Sequence, residues 1–179
     1  MTGFFRESPW GFRLVFLGLA LVLLFIRLLP LGNIAGALPG PDLLLCVIMA
    51  WVVRRPDFLP LGLIVLVVLS EDLILMRPPG LWTALVVMAS EFLRSRAALT
   101  RELNFVIEWM LVTGLMMAML LAYRLVFALA LLPQPAFGFS VVQILWSALA
   151  YPIVVGLSQL ALNLHKPGTG ETDDLGRRM

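Results

Sequence analysis

Two adjacent carboxylates stand in one of the most apolar parts of the chain, the stretch "LSEDLILMRPPGLWTAL" at residues 69–85. Glu71 and Asp72 are followed by Arg77, by two prolines and by Gly80, after which the apolar sequence resumes. A carboxylate can accept hydrogen bonds from the unpaired N–H groups at the start of a helix. It can also form an ion pair with an arginine, which offsets the cost of removing both charges from water. Helix capping and ion pairing are therefore the chemistry that this stretch predicts.

The apolar surroundings of the two acids indicate a membrane protein. Of the 179 residues, 61% are hydrophobic and 13% are charged, and the mean hydropathy is +0.98. Soluble domains are closer to half apolar and a quarter charged. So few charged side chains could not cover a core this apolar in water, and the sequence predicts an integral membrane protein. The small positive charge bears on orientation in the bilayer, and no binding to nucleic acid is expected.

Six apolar runs are separated by segments rich in proline, glycine and charge. A helix needs roughly 20 apolar residues to cross a bilayer, and backbone in lipid has little alternative to helix. The predicted spans are 12–29, 40–53, 58–76, 79–94, 110–132 and 139–164, of which the second and fourth are short. The predicted fold class is an all-α integral membrane protein. It has a six-helix transmembrane domain at residues 1–165 and a disordered cytoplasmic tail at residues 166–179.

The distribution of basic residues predicts that both termini lie in the cytoplasm. With that orientation, ten of the 13 Lys and Arg residues fall on the inner side, and Arg27, Arg77 and Arg124 fall in the outer half. This asymmetry follows the positive-inside rule. The arginine-rich connection at 94–101 leads into an amphipathic stretch at 97–110, which we expect in the inner headgroup region with Glu108 on its polar face. Both segments are candidates for contact with anionic lipid or a cytoplasmic partner.

The position of Asp72 suggests which groups neutralise it. A carboxylate at the centre of a membrane costs about 2.5–3.5 kcal/mol. Arg124 falls at a similar depth on the fifth span, so we expect an Asp72–Arg124 ion pair, with Arg77 as the rival partner. The "RPPGL" turn lets Pro79 and Gly80 begin the fourth helix, and Asp72 can accept hydrogen bonds from its first N–H groups and so fasten a hairpin. The alternative, for Glu71 above all, is a frayed and hydrated helix end.

Two other patterns have structural interpretations. The segment "PGPD" at 39–42 precedes the second span as "PPGL" precedes the fourth. Such breaks either form surface turns or line a cavity. On the sixth span, Gln143, Ser147 and Tyr151 are spaced by four and Ser158 follows, which predicts a face turned towards other helices.

The fifth span has small residues at a spacing of four, and common catalytic motifs are absent from the sequence. Gly114, Ala118 and Ala122 form a small-residue face on the fifth span, suited to close helix packing. The sequence contains no H-E-x-x-H, G-x-S-x-G or Walker motif, and His165 is more simply an interfacial residue than a metal ligand. We therefore expect no catalytic, metal-binding or cofactor-binding residues and no enzymatic activity.

The stretch "RPDFLPLGLIVLVVLSEDLILMRPPGLWTAL" at 55–85 resembles the core of the MreD family of bacterial rod-shape-determining membrane proteins. In that family a proline-led helix is followed by an aspartate and then by a Pro-Leu-Gly-Leu turn. Asp72 matches the aspartate, and Pro79, Gly80 and Leu81 match the turn, although no leucine separates proline from glycine here. The glycine common between aspartate and turn is also missing, and Met76 or Arg77 stands near its place.

The resemblance implies a fold similar to the substrate-capture subunits of energy-coupling-factor vitamin transporters. It also implies a non-enzymatic scaffold of the bacterial inner membrane that binds the bitopic protein MreC. The complex that organises lateral peptidoglycan synthesis further includes RodA, a penicillin-binding transpeptidase and the MreB filament. In such a scaffold, the geometry of the helices is fixed by four polar residues: Asp72, Arg124, Glu71 and Arg77.

Another class of function stays open. A vitamin-capture subunit should have an outward pocket lined by aromatic and polar side chains and closed by a loop such as residues 31–40. That loop contains Asn33 as its one polar side chain, which favours the scaffold. An enzyme acting on lipid-linked cell-wall precursors is a more distant alternative.

Overall fold

The described residues of the computed structural model form a bundle of six α-helices. The structure describes residues 9–29, 39–97, 103–134 and 136–162, so the predictions for the 31–38 loop segment, Arg101, His165 and the 166–179 tail lie outside it. A 3₁₀ turn, Pro56–Phe58, follows the second helix. The helices are α1 Pro9–Leu28, α2 Leu43–Arg54, α3 Leu61–Ile74, α4 Leu81–Ser95, α5 Phe105–Leu129 and α6 Phe137–Leu162.

Helix α2 forms the centre of the bundle. Every residue from Leu44 to Arg54 is buried, as expected for a helix that is apolar on all sides. It packs against α6, α4 and α1, while α3 packs against α4, and α5 against both α4 and α6. At one end of the bundle the start of α1 meets the 3₁₀ turn, where the rings of Phe12 and Phe58 stack 4.3 Å apart. We call this the Arg54 end and the opposite one the Asp72 end.

The six predicted helices are present, but they differ in length. Helices α1, α5 and α6 have 20, 25 and 26 residues, and all three are long and apolar enough to cross a membrane. Helices α2, α3 and α4 have 12, 14 and 15 residues. At 1.5 Å per residue, these three are about 18–23 Å long, which is less than the roughly 30 Å hydrocarbon core. The predicted span 58–76 was therefore too long by several residues.

The ends of α3 show why it is shorter. Leu59 precedes Pro60, whose ring disfavours helical geometry at the preceding residue, and Leu59 has φ −111° and ψ 83°. At the other end the Met76 N–H donates to the Leu73 carbonyl and the Arg77 N–H to the Asp72 carbonyl. This is the Schellman pattern, which requires a left-handed residue after the helix. That residue is Met76, with φ +50°.

Helix α5 ends in the same way. The Leu131 N–H donates to the Ala128 carbonyl and the Leu132 N–H to the Phe127 carbonyl, and Leu131 has φ +53°. The left-handed conformation costs an L-residue about 1–2 kcal/mol, and glycine avoids this cost. Both helix ends therefore have a residue with a strained backbone conformation at a position where glycine is the usual residue.

We expect Met76→Gly and Leu131→Gly each to raise the free energy of unfolding by about 0.5–1 kcal/mol. The gain is the relief of left-handed strain, reduced by the greater entropy of glycine in the unfolded chain. Both side chains are almost fully exposed, Met76 at 94% and Leu131 at 91%, so little packing is lost. Detergent-titration unfolding of the purified protein measures the change.

The matched control is Met88→Gly, which makes the same replacement inside α4 at a 68% exposed residue. Glycine in a helix interior should lower stability by about 1 kcal/mol. Equal effects at residues 76 and 88 would contradict the assignment of strain to Met76.

The start of α5 corrects another prediction. Helix α5 begins at Phe105, and Asn104 caps it by accepting a hydrogen bond from the Ile107 N–H at 2.9 Å. From Phe105 onward the predicted amphipathic stretch is therefore part of a long helix. Glu108 does not lie on an exposed polar face, because it is 1% exposed and points into the bundle.

Candidate functional site

Asp72 joins α3 to the start of α4. Its side chain is fully buried, and Oδ2 accepts hydrogen bonds from the Gly80 N–H at 3.2 Å, the Thr83 N–H at 3.2 Å and the Thr83 hydroxyl at 2.8 Å. Gly80 is the N-cap residue of α4, and its φ of +93° favours glycine. Glycine, however, has no side chain that could cap the helix. Asp72 therefore supplies the missing cap from the preceding helix. The predicted hydrogen-bonded hairpin is confirmed.

The arginine near Asp72 is Arg77 rather than the predicted Arg124. The Arg77 Nη1 atom lies 3.9 Å from Asp72 Oδ1. The guanidinium of Arg124 lies over the ring of Phe137, 5.1 Å from its centre. The predicted depth of Arg124 was at the correct end of the bundle, but depth along a helix does not determine the direction of a side chain. Pro79 is exposed in the turn between α3 and α4.

Glu71 is buried as well, so the alternative of a hydrated helix end was wrong. Its Oε1 forms an ion pair with Arg27 and lies 3.9 Å from the Arg77 Nη2 atom. Arg27 also approaches both carboxylate oxygens of Asp42 at 3.5 Å. We call Arg27, Asp42, Glu71, Asp72 and Arg77 the hairpin cluster. It connects the end of α1, the start of α2 and the α3–α4 turn.

Asp42 serves α2 as Asp72 serves α4. Its Oδ1 accepts the Leu45 N–H at 3.1 Å and so caps α2, while its own N–H donates to Ser147 Oγ at 2.8 Å. The "PGPD" and "PPGL" breaks thus end in two capped helix starts at the same end of the bundle. The break was predicted from the sequence, but the roles of Asp42 and Arg27 were not.

The polar face of α6 turns inward as predicted. Ser147, Tyr151 and Ser158 are buried, and Gln143 is half-buried. Ser158 Oγ accepts the indole N–H of Trp51 at 3.3 Å. These contacts hold the inward face of α6 against α2, together with buried apolar residues such as Ile144 and Val155.

A second polar group, which sequence analysis missed, lies towards the Arg54 end. The Arg54 Nη1 atom donates to Glu108 Oε1 at 2.9 Å and to the Ala50 carbonyl at 3.2 Å. The Tyr151 hydroxyl donates to the same Glu108 oxygen at 2.8 Å. All three side chains are buried. We call Arg54, Glu108 and Tyr151 the Arg54 cluster.

The signal for this cluster was present in the sequence. Glu108 stands alone among apolar residues in "FVIEWML", the same kind of signal that drew attention to Asp72. A single buried acid requires a partner, and Arg54 at the end of α2 provides it. Arg54 is instead among the ten basic residues that the positive-inside pattern assigns to the inner side.

The small-residue face of α5 does not pack within the described chain. Gly114 and Ala118 are exposed and Ala122 is half-buried, and no atom lies within 4 Å of a Cβ built on Gly114. They share their side of α5 with the exposed residues Met110, Leu121 and Leu125. The predicted close packing is therefore not made inside this bundle.

A cavity of about 330 Å³ adjoins the hairpin cluster. It lies among the α3–α4 turn, α5 and the start of α6, and such a volume is at the lower end of the range for small-molecule sites. The "PGPD" and "PPGL" breaks therefore contribute to a cavity, the alternative that sequence analysis had left open. Its polar lining consists of Asp42, Arg77, Tyr123, Arg124, Gln134 and Gln143, together with Ser140.

Within 9–29, 39–97, 103–134 and 136–162, no group of three or more His, Cys, Asp or Glu side chains could hold a metal ion. No family model, curated protein or solved structure matches this chain. The hairpin cluster, the Arg54 cluster and the cavity are therefore the features from which a function has to be inferred.

Proposed function

We propose that this chain is a multi-spanning protein of the bacterial inner membrane that acts as a non-enzymatic scaffold of the rod complex. Its expected partner is the transmembrane helix or juxtamembrane region of MreC, as in the MreD family that residues 55–85 resemble. The observation that carries the proposal is the Asp72 hairpin. The aspartate and the turn glycine on which the resemblance depends are joined by a hydrogen bond.

Other features support this proposal. Met76, which has φ +50°, stands near the place where the family commonly has a glycine. The buried charged side chains of the described residues form two clusters that join neighbouring helices, and large apolar side chains are exposed on α1 and α5. A rigid bundle with an apolar exterior suits a protein that presents helix faces to a transmembrane partner.

The proposed orientation places the Arg54 end in the cytoplasm and the Asp72 end outside. Both termini are then cytoplasmic, in agreement with the distribution of arginines. In the six-span arrangement, the short helices α2, α3 and α4 cross the membrane beside the longer helices α1, α5 and α6. Local thinning of the bilayer and the polar residues at their ends can accommodate this difference in length.

Photo-crosslinking tests the proposal directly. A photoreactive residue is placed, one at a time, at exposed residues on different helices: Leu21, Leu66, Met88, Leu121 and Leu149. In cells that also produce tagged MreC, we expect MreC adducts from one helix face or two adjacent faces. The buried residue Val112 is the negative control. Absence of MreC adducts at every exposed residue, with the chain normally inserted, would contradict the proposal.

A second candidate, a vitamin-capture subunit, is favoured by the cavity. Aromatic and polar side chains line it at the proposed outer end, as the sequence analysis required of such a subunit. Calorimetric titration of the purified chain with a panel of vitamins separates the candidates. Submicromolar binding of one vitamin would support the capture subunit. If no vitamin binds at millimolar concentration, the result favours the scaffold.

A further inference from the structure

Arg77 is the charged residue of the hairpin cluster whose side chain makes no hydrogen bond within the part of the chain that the structure describes. It lies 3.9 Å from both Glu71 and Asp72, which is too far for a hydrogen bond. Among the described residues, no side chain accepts a hydrogen bond from it, and it lines the cavity. The guanidinium group therefore has N–H donors available for a group inside the cavity.

Two arginines and one acid are the charged residues that line the cavity within the described chain. Arg124 on α5 and Arg77 in the α3–α4 turn are the basic ones and Asp42 is the acidic one, while Glu71 and Asp72 lie behind Arg77 and outside the lining. The Asp42 carboxylate already accepts the Leu45 N–H and faces Arg27 at 3.5 Å. Arginine guanidinium groups suit phosphate and carboxylate ligands because they offer several donors in one plane.

The cavity also has an apolar and aromatic wall next to the arginines, since the guanidinium of Arg77 lies over the ring of Trp82, 5.6 Å from its centre. The Trp82 and Tyr123 rings meet edge to face with centres 5.7 Å apart, and the Tyr123 and Phe127 rings stack at 4.5 Å. All three residues line the cavity, together with Leu45 and Leu120. This wall suits a hydrocarbon chain or ring, while Gln134 and Gln143 add amide groups.

We propose that the cavity binds an amphiphilic anion, with its phosphate group against Arg77 and Arg124 and its apolar part against the aromatic wall. A membrane lipid and a soluble phosphate ester both have this chemistry. The space corresponds to roughly ten water molecules, which is enough for a head group and the adjoining part of a chain but not for a complete lipid. The proposal goes beyond the scaffold function, because it does not require MreC.

Titration of the full chain with dodecyl phosphate tests the proposal. The protein is purified in dodecyl maltoside, and native mass spectrometry measures the bound fraction against the mole fraction of probe in the micelle. Dodecanol is the neutral control, since it has the same chain without the anion. We expect dodecyl phosphate to form a single saturable adduct and dodecanol to bind at least tenfold more weakly.

Three variants locate the binding. Arg77→Gln removes the charge, and Ser140→Trp fills the cavity without changing any charge. Each should weaken dodecyl phosphate binding roughly tenfold or more, because a hydrogen bond to a charged group is lost or the space is occupied. Arg96→Gln is the control, because Arg96 lies over Phe92 at the opposite end of the bundle, and its binding should not change.

The outcomes are distinguishable. Loss of binding in both cavity variants supports the proposal. Displacement of the probe by a water-soluble ring ester, phenyl phosphate, at a lower concentration than by inorganic phosphate then indicates a soluble ester, whereas equal and weak displacement by both indicates a lipid. If Ser140→Trp binds the probe as the wild type does, or if dodecanol binds as tightly, the proposal is overturned. If Arg77→Gln is misfolded, Ser140→Trp and dodecanol still decide the result. MreC crosslinking is scored separately, so failure of one proposal does not count against the other.

Discussion

Replacing Glu108 by glutamine is expected to lower the free energy of unfolding by about 3–5 kcal/mol, the largest effect that we predict for a single substitution. The change preserves the shape of the side chain but leaves Arg54 as a buried, uncompensated charge. Removal of one partner from a buried ion pair typically costs this much. The two side chains are 2% and 1% exposed, so water cannot easily replace the lost charge. Equilibrium unfolding in mixed micelles, followed by circular dichroism, measures the change.

Two comparisons make this result specific. Glu91→Gln removes the same charge from the Arg94–Glu91 pair, whose glutamate is 49% exposed. Exposed ion pairs contribute about 0–1 kcal/mol, so we expect a small change. The double replacement Arg54→Met with Glu108→Gln removes both charges and should recover at least half of the loss. A double variant no more stable than Glu108→Gln would argue against an uncompensated arginine as the cause.

Replacing Asp72 by alanine is expected to cost about 3 kcal/mol and to weaken assembly with MreC. The substitution leaves the Gly80 N–H, the Thr83 N–H and the Thr83 hydroxyl without their common acceptor. Each unsatisfied donor costs about 1–3 kcal/mol when it stays buried, but the Gly80 N–H is only part-buried and can reach water after a small movement. Melting temperature and co-purification with tagged MreC are the two measurements.

The pattern across variants separates capping from charge. Asp72→Asn keeps one acceptor oxygen, so it should retain part of the lost stability. Asp57→Ala changes an exposed aspartate of the 3₁₀ turn and should change stability by no more than about 0.5 kcal/mol. If Asp72→Ala leaves both melting and co-purification unchanged, the hairpin does not have the role assigned to it here.

The Asp72 hairpin could be predicted because it is local in the chain. The donors on Gly80 and Thr83 lie 8 and 11 residues after Asp72, and two prolines and a glycine indicate the turn between them. Once the turn is recognised, a carboxylate at the end of one helix must lie near the unpaired N–H groups of the next. The inward polar face of α6 was predictable for a similar reason, since a spacing of four places residues on one side of a helix.

The ion pairs could not be assigned in this way. Arg27 and Glu71 are 44 residues apart, and Arg54 and Glu108 are 54 apart. Several arginines could have reached each acid, and the depth argument chose Arg124 for Asp72 when the nearer guanidinium is that of Arg77. The cavity could not be predicted for the same reason, because the residues that line it are distributed along the chain between Asp42 and Ile144.

The sequence by itself determined the apolar character of the chain, the six helices and the turn that Asp72 fastens. These properties follow from composition, from periodicity and from interactions over about a dozen residues. Only the tertiary structure decided which arginine neutralises which carboxylate, which of the small residues stay exposed, and where the helices leave a cavity. The physical reason is that these contacts depend on how α1, α2, α5 and α6 are placed side by side, and packing between distant segments sets that placement.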